Sequence, residues 1–113
     1  MNTSSVCGPA FGVKHGGELV VSIRGTEPLT DERWHHVAVT WDARAITVVV
    51  DNKLLGTRTD PRVLPSTLGP TTADYLGRAL SDSIVAFAGD LDELRIYDRV
   101  LDDREIEALY NAR

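Results

Sequence analysis

The stretch WHHVAVTWDARAITVVVD, residues 34–51, decides the fold. From Val37 onward the apolar side chains Val37, Val39 and Trp41 recur at every second position, and beyond the DARA tetrapeptide Ile46, Val48 and Val50 repeat the pattern. A period of two is that of a strand with one buried face, because successive side chains on a pleated backbone point to opposite sides. Two such runs joined by a short polar segment predict a β-hairpin.

Toward the N-terminus, residues 10–14 predict a short strand and His15, Gly16 and Gly17 a tight turn. The run ELVVSIRG then predicts a second strand with Leu19, Val21 and Ile23 on its inner face. Residues 26–33 form a polar connection into the hairpin. Residues 1–9, small and polar, read as an irregular start, and residues 10–113 as a single domain.

Toward the C-terminus, Asp51, Asn52 and Lys53 signal a turn, because Asp and Asn tolerate the left-handed backbone that hairpin turns demand. A returning strand over residues 54–59 follows. Residues 60–73 hold Pro61, Pro65 and Pro70, and proline lacks the N–H a central strand needs, so a surface loop is expected. A short strand at residues 74–77 and a last strand system over residues 84–97 come next, the latter alternating Asp92, Leu94 and Ile96 against Glu93, Arg95 and Tyr97. The period then changes. Asp102 and Glu105 form a capping box, Leu101 and Ile106 are spaced as a hydrophobic staple, and Ile106, Leu109 and Tyr110 share one helical face. Strand after strand closed by one helix predicts an all-β fold, an antiparallel β-sandwich or jelly roll with one short C-terminal α-helix.

A chain of 113 residues, 42% apolar and 26% charged, is long enough to bury a core without staples. Seventeen acidic against twelve basic residues give a net charge of −5, and the basic residues are scattered singly. No phosphate-binding face is built that way, so nucleic acid and anionic membrane are excluded as partners. Cys7 stands alone, so neither an internal disulfide nor a zinc spacing exists. The first residues lack a basic-then-apolar leader, and no window approaches a membrane span, so membrane insertion is not expected.

Taken in order, WHHVAVTWD, VVVDNKLLGT, YLGR and FAGDLDELRIYDRVLDDREIEALY resemble the recurring motifs of the laminin G-like branch of the concanavalin A-like lectin/glucanase superfamily, pentraxin-type domains included. The likeness runs over residues 18–110. Asn52 stands where the family has Gly, and Asp102 where it has Ser. Both keep the chemistry, since Asn accepts positive φ and Asp caps helices. Family members carry further strands upstream, so the resemblance implies a partial sandwich domain with an exposed sheet edge near residues 91–97. The expectation is therefore either a fragment of a longer protein or a homo-oligomer in which a second copy completes the sheet through that edge.

Catalysis is weighed first at Asp90, Leu91, Asp92 and Glu93. Glucanases on this fold alternate carboxylates along a strand, and glycosidases need their pair about 5 to 10 Å apart. Here the strand reads D-x-D-E, which turns Glu93 away from Asp90 and Asp92, and no catalytic residue is assigned. Asp92 is expected to turn inward and accept backbone N–H groups, and Glu93 and Arg95 to form a solvated ion pair. His35 and His36 point opposite ways and cannot grip one ion, and His36 is expected to make a structural hydrogen bond beside Trp34.

Calcium is the cofactor that the resemblance implies, because laminin G-like and pentraxin domains bind it through Asp and Asn oxygens on one rim. Asp82, within LGRALSDS, falls at the acidic loop, and Asp90 and Asp74 share the rim. Glycan binding calls for exposed aromatics beside polar groups, which leaves Tyr75, with Arg78 close by, and Trp34 as candidate platforms. Trp41, Phe87 and Tyr110 are assigned to packing. The expected function is a non-catalytic recognition module for a carbohydrate or protein ligand, calcium-assisted, and extracellular or at the cell surface by family resemblance. The alternative is a structural accessory domain of a larger secreted or surface protein, and a glucan-active hydrolase ranks third.

Overall fold

The computed structural model describes residues 8–27, 32–69, 76 and 89–112. Residues 1–7 of the irregular start expected over 1–9, the strand at 74–77 apart from Leu76, and residues 84–88 of the last strand system lie outside the described residues.

Strand β1 (Ala10–His15) pairs antiparallel with β2 (Glu18–Arg24), setting Phe11 opposite Ile23 and Val13 opposite Val21. Gly16 and Gly17 make the turn at φ of 63° and 82°, the left-handed region that glycine enters without a Cβ clash. The ladder bulges between Val13 and Lys14. Leu19 lies beyond that bulge at the hairpin tip and is exposed, not buried with Val21 and Ile23 as its spacing suggests.

Strands β3 (Val37–Trp41), β4 (Ala45–Val50) and β5 (Lys53–Thr59) form a three-stranded antiparallel sheet in that order. The Asp42 carboxylate closes the β3–β4 turn by accepting from the N–H groups of Arg44 at 2.8 Å and Ala45 at 3.0 Å. Asp51 and Asn52 make the β4–β5 turn at φ of 51° and 63°, the pair of left-handed residues that a two-residue hairpin loop requires.

The two sheets pack face to face, as the all-β sandwich reading requires. Val13, Val21, Ile23, Ile46, Val48 and Val63 form the buried cluster between them, with Phe11, Trp41 and Leu55 at its margin. Phe11 and Trp41 meet edge to face at 6.0 Å between ring centroids. Where β5 meets β2, a Cβ on Gly56 would come within 2.8 Å of Ile23 Cγ2, so the absence of a side chain sets the spacing there. The loop after β5 is not wholly on the surface. Pro61 and Val63 are buried, and Trp41 Nε1 donates to the Val63 carbonyl at 2.7 Å, pinning the loop over the core before a 3-10 turn at Pro65–Leu68.

Trp41 behaves as expected, but Val37 and Val39 are 52% and 41% exposed. Their phase is right, since Val39 stands opposite buried Val48 on the same face. Among the described residues β3 is the outer strand of its sheet, and its core face is only half covered.

The helix α1 (Asp103–Asn111) follows the sequence reading closely. Asp102 accepts from the Glu105 N–H at 2.9 Å while the Glu105 side chain takes the Asp102 N–H at 3.0 Å. Ile106 is buried on the face of the three-stranded sheet opposite the main cluster, beside Val49. Residues 90–97 are a clear departure: they form no strand, and Leu91, Leu94, Ile96 and Tyr97 are exposed. The local cause is visible at Glu93, whose φ of 57° is left-handed and whose N–H is held by the Asp92 carboxylate at 2.8 Å.

Candidate functional site

A polar node sits where β3 begins and β4 ends. Antiparallel register brings His36 opposite Asp51, and the Asp51 N–H donates to the His36 carbonyl at 2.8 Å. The Asp51 carboxylate then serves both histidine residues. Its Oδ1 accepts the His36 backbone N–H at 2.8 Å, and its Oδ2 accepts from His35 Nδ1 at 2.6 Å. A carboxylate only accepts, so Nδ1 of His35 carries the proton.

Helix α1 docks on the same node. The His36 ring meets the Tyr110 ring at 6.1 Å and an angle of 62°, and Asn52 Nδ2 reaches Glu107 Oε2 at 3.4 Å. The expected hydrogen bond of His36 is corrected here: its Nδ1 is buried against the helix with no partner among the described residues, and His35 makes the side-chain bond instead. The sequence reading credits Asp51 with the turn alone. The missed signal is register, because a hairpin turn directly across from a strand entry puts its first carboxylate beside the entry's backbone.

Two shallow grooves flank α1. One, of about 280 Å³, is lined by Thr47, Val49, Asn52, Leu54, Asp103 and Ile106. The other, of about 370 Å³, lies between Tyr97, Arg99 and Leu101 on one side and Glu105 and Leu109 on the other. Arg99 spans this second groove with two bonds to the Glu105 carboxylate, one of them at 2.8 Å from Nη1. That bond, followed by the Asp102 N–H, lowers the Glu105 acid to about 2 from its usual 4.5.

Of the residues singled out for ligand or metal, Tyr75, Arg78, Asp74 and Asp82 lie outside the described residues. Asp90 is described and exposed. Among the described residues no group of three or more His, Cys, Asp or Glu side chains is disposed to hold a metal ion. Asp92 does accept a backbone N–H, but it faces solvent and not the interior. The Glu93 and Arg95 pair forms as expected, at 2.7 Å and exposed. Arg95 is raised above its usual value, first by its bond to Tyr97 and then by Glu93.

The comparisons agree with this architecture. A family profile described as the concanavalin A-like lectin/glucanases superfamily, of laminin G type, matches residues 2–107. The chain belongs to that family. Among solved structures, an S-layer domain-containing protein from Clostridium thermocellum ATCC 27405 is similar at 29% identity with a TM-score of 0.57. The match covers 89% of this chain and 50% of that one, so this chain spans about half the length of its structural neighbour. No curated protein matches the sequence. Among the described residues no helix is long and apolar enough to cross a membrane.

Proposed function

We propose that this chain is a non-catalytic recognition module of a cell-surface or extracellular protein, engaging a carbohydrate or protein ligand at the rim of its sandwich. The observation that carries this reading is the likeness, over 89% of the chain, to a protein whose own name places it among S-layer domain proteins, together with the laminin G-type family match. Local chemistry supports the absence of a hydrolytic pair at the D-x-D-E sequence. Asp92 is spent on the Glu93 N–H, and Glu93 on Arg95.

In this proposal Tyr75 and Arg78 contact the ligand, and Asp74, Asp82 and Asp90 supply the hard oxygen atoms that calcium needs. A glycan array run with calcium and with chelator is the test. Sugar binding that chelation abolishes is the expected result, and Tyr75→Ala should remove it without moving the melting temperature. Silence on the array in both conditions, with no heat of calcium binding, would discard the glycan and calcium parts together.

A second reading, a structural accessory domain with no ligand of its own, is favoured by one observation. Trp34, Leu91, Leu94, Ile96 and Tyr97 are large apolar side chains left exposed outside the sandwich core. Exposed apolar side chains in this number suit packing against a neighbouring domain better than a freely solvated surface.

A further inference from the structure

Among the described residues, β3 has β4 on one side and an open edge on the other. The phase of its backbone is fixed by two bonds at the ends of the ladder: Asp51 N–H to the His36 carbonyl at 2.8 Å, and Asp42 N–H to the Ala45 carbonyl at 3.1 Å. In an antiparallel ladder, residues whose groups bond inward alternate with residues whose groups point outward. His36, Ala38, Thr40 and Asp42 therefore bond toward β4, and Val37, Val39 and Trp41 turn their N–H and C=O groups to the open edge.

We infer that this edge is a self-association surface, with β3 pairing antiparallel to β3 of a second copy about a two-fold axis through Val39. In that register Val39 faces its own symmetry mate and Val37 faces Trp41 of the other copy. Each outward N–H meets an outward C=O, so the bonding phase closes with none left over. Side chains directly opposite in an antiparallel pair share a face, so Val37, Val39 and Trp41 of both copies stay on the core side. The result is one continuous sheet in which exposed Val37 and Val39 gain apolar neighbours.

The sequence of the strand supports this occupant. VAVTW contains no charge, proline or glycine, the devices that keep a sheet edge from pairing. Trp34, 54% exposed just before the strand, widens the apolar surface. Residues 91–97 fit the edge less well, because left-handed Glu93 interrupts them. A five-residue strand buries little area, so the association is weak and concentration-dependent. A net charge of −5 on each copy opposes it, so added salt should strengthen it.

Sedimentation equilibrium of the full chain over a wide concentration range tests the inference. The expected result is a mass that climbs from monomer toward dimer, more steeply at higher salt. Val39→Pro removes an outward N–H while leaving the bonds to β4 intact, and Val39→Lys places like charges opposite each other across the axis. Each should weaken association by about tenfold or more with little change in melting temperature. If the proline variant fails to fold, the lysine variant decides. A wild-type mass that stays monomeric throughout, or association unchanged in Val39→Lys, overturns the proposal. Loss in Ile96→Lys with Val39→Lys unaffected also overturns it, moving the contact to residues 91–97.

Discussion

In the β3–β4 hairpin, Val39 stands opposite Val48 and Trp41 opposite Ile46 across a turn that Asp42 closes with its own carboxylate. In residues 92–97, Asp92, Leu94 and Ile96 alternate with Glu93, Arg95 and Tyr97, yet Leu94, Ile96 and Tyr97 face solvent, as does Leu91. The difference is the partner. The hairpin supplies its second strand within a few residues, so the entropy of closing the loop is small and the ladder follows at once. Residues 90–97 lead through residues 98–102 to α1 with no strand beside them among the described residues. There the nearest acceptor for the Glu93 N–H is the carboxylate of Asp92, which holds Glu93 left-handed. Alternation nominates a strand, but a strand exists only where its backbone groups are paired.

The largest expected effect separates the two regions by a single truncation. Ile46 is fully buried and Ile96 is 88% exposed. Ile46→Ala should cost about 2–5 kcal/mol by lost transfer and a residual cavity, and Ile96→Ala should stay within about 0.5 kcal/mol of wild type. Chemical denaturation of both variants at low concentration gives the answer. Comparable losses would mean that residues 90–97 are packed in solution, and the contrast would collapse.

Next in size is the node that ties the hairpin end to the strand entry. Asp51→Ala strips an acceptor from His35 and from the His36 N–H, and it removes a side chain suited to φ of 51°. A loss of about 2 kcal/mol is expected. Asp51→Asn keeps the turn conformation and one neutral acceptor, so it should recover roughly half of that. Equal stability of the two variants would show that the charged carboxylate, and not the turn conformation, sets the hairpin end.

These magnitudes also mark what the sequence makes legible. The hairpin, both of its turns and the α1 cap are local features, carried by Asp42, Asp51, Asn52 and the Asp102 and Glu105 box within a few residues of the elements they shape. Long-range consequences are not written that way. Nothing in the spacing of Val37 and Val39 says that β3 is an outer strand, and nothing in Pro61 and Val63 says that their loop is drawn onto Trp41. The site is less legible still. The carboxylates of the D-x-D-E stretch are visible as letters, but their use in local bonds depends on a backbone turn at Glu93 that alternation argues against. The His35–Asp51 bond joins residues sixteen apart and appears only once register is known.

Helix α1 offers smaller tests, because it lies on the far face of the sheet and is anchored by Ile106 and its cap. Asp102→Ala removes the acceptor for the Glu105 N–H and should cost about 1 kcal/mol. The main sandwich core should keep its packing, so the edge-to-face contact of Phe11 with Trp41 is a built-in control. Loss of near-UV signal from Trp41 along with helix signal would show that helix and core unfold as one unit.

Acid gives the smallest effect and the cleanest sign. The Arg99 side chain first, and the Asp102 N–H second, hold the Glu105 acid at about 2 against its usual 4.5. A group whose folded value is lowered contributes stability that is fully present above its unfolded value and is lost as pH falls through the folded one. The contribution of Glu105 is therefore in place above pH 4.5 and fades as pH drops toward 2. Because the pair is exposed and screened by solvent, the expected change is a modest fraying of the first turn of α1. The hairpin core, built from Ile46 and Val48, carries no titrating group and should not respond. Far-UV circular dichroism followed through this range should show a small loss of helix in wild type and a flatter profile in Glu105→Gln. A variant profile that superimposes on wild type would assign the acid response to groups outside the cap.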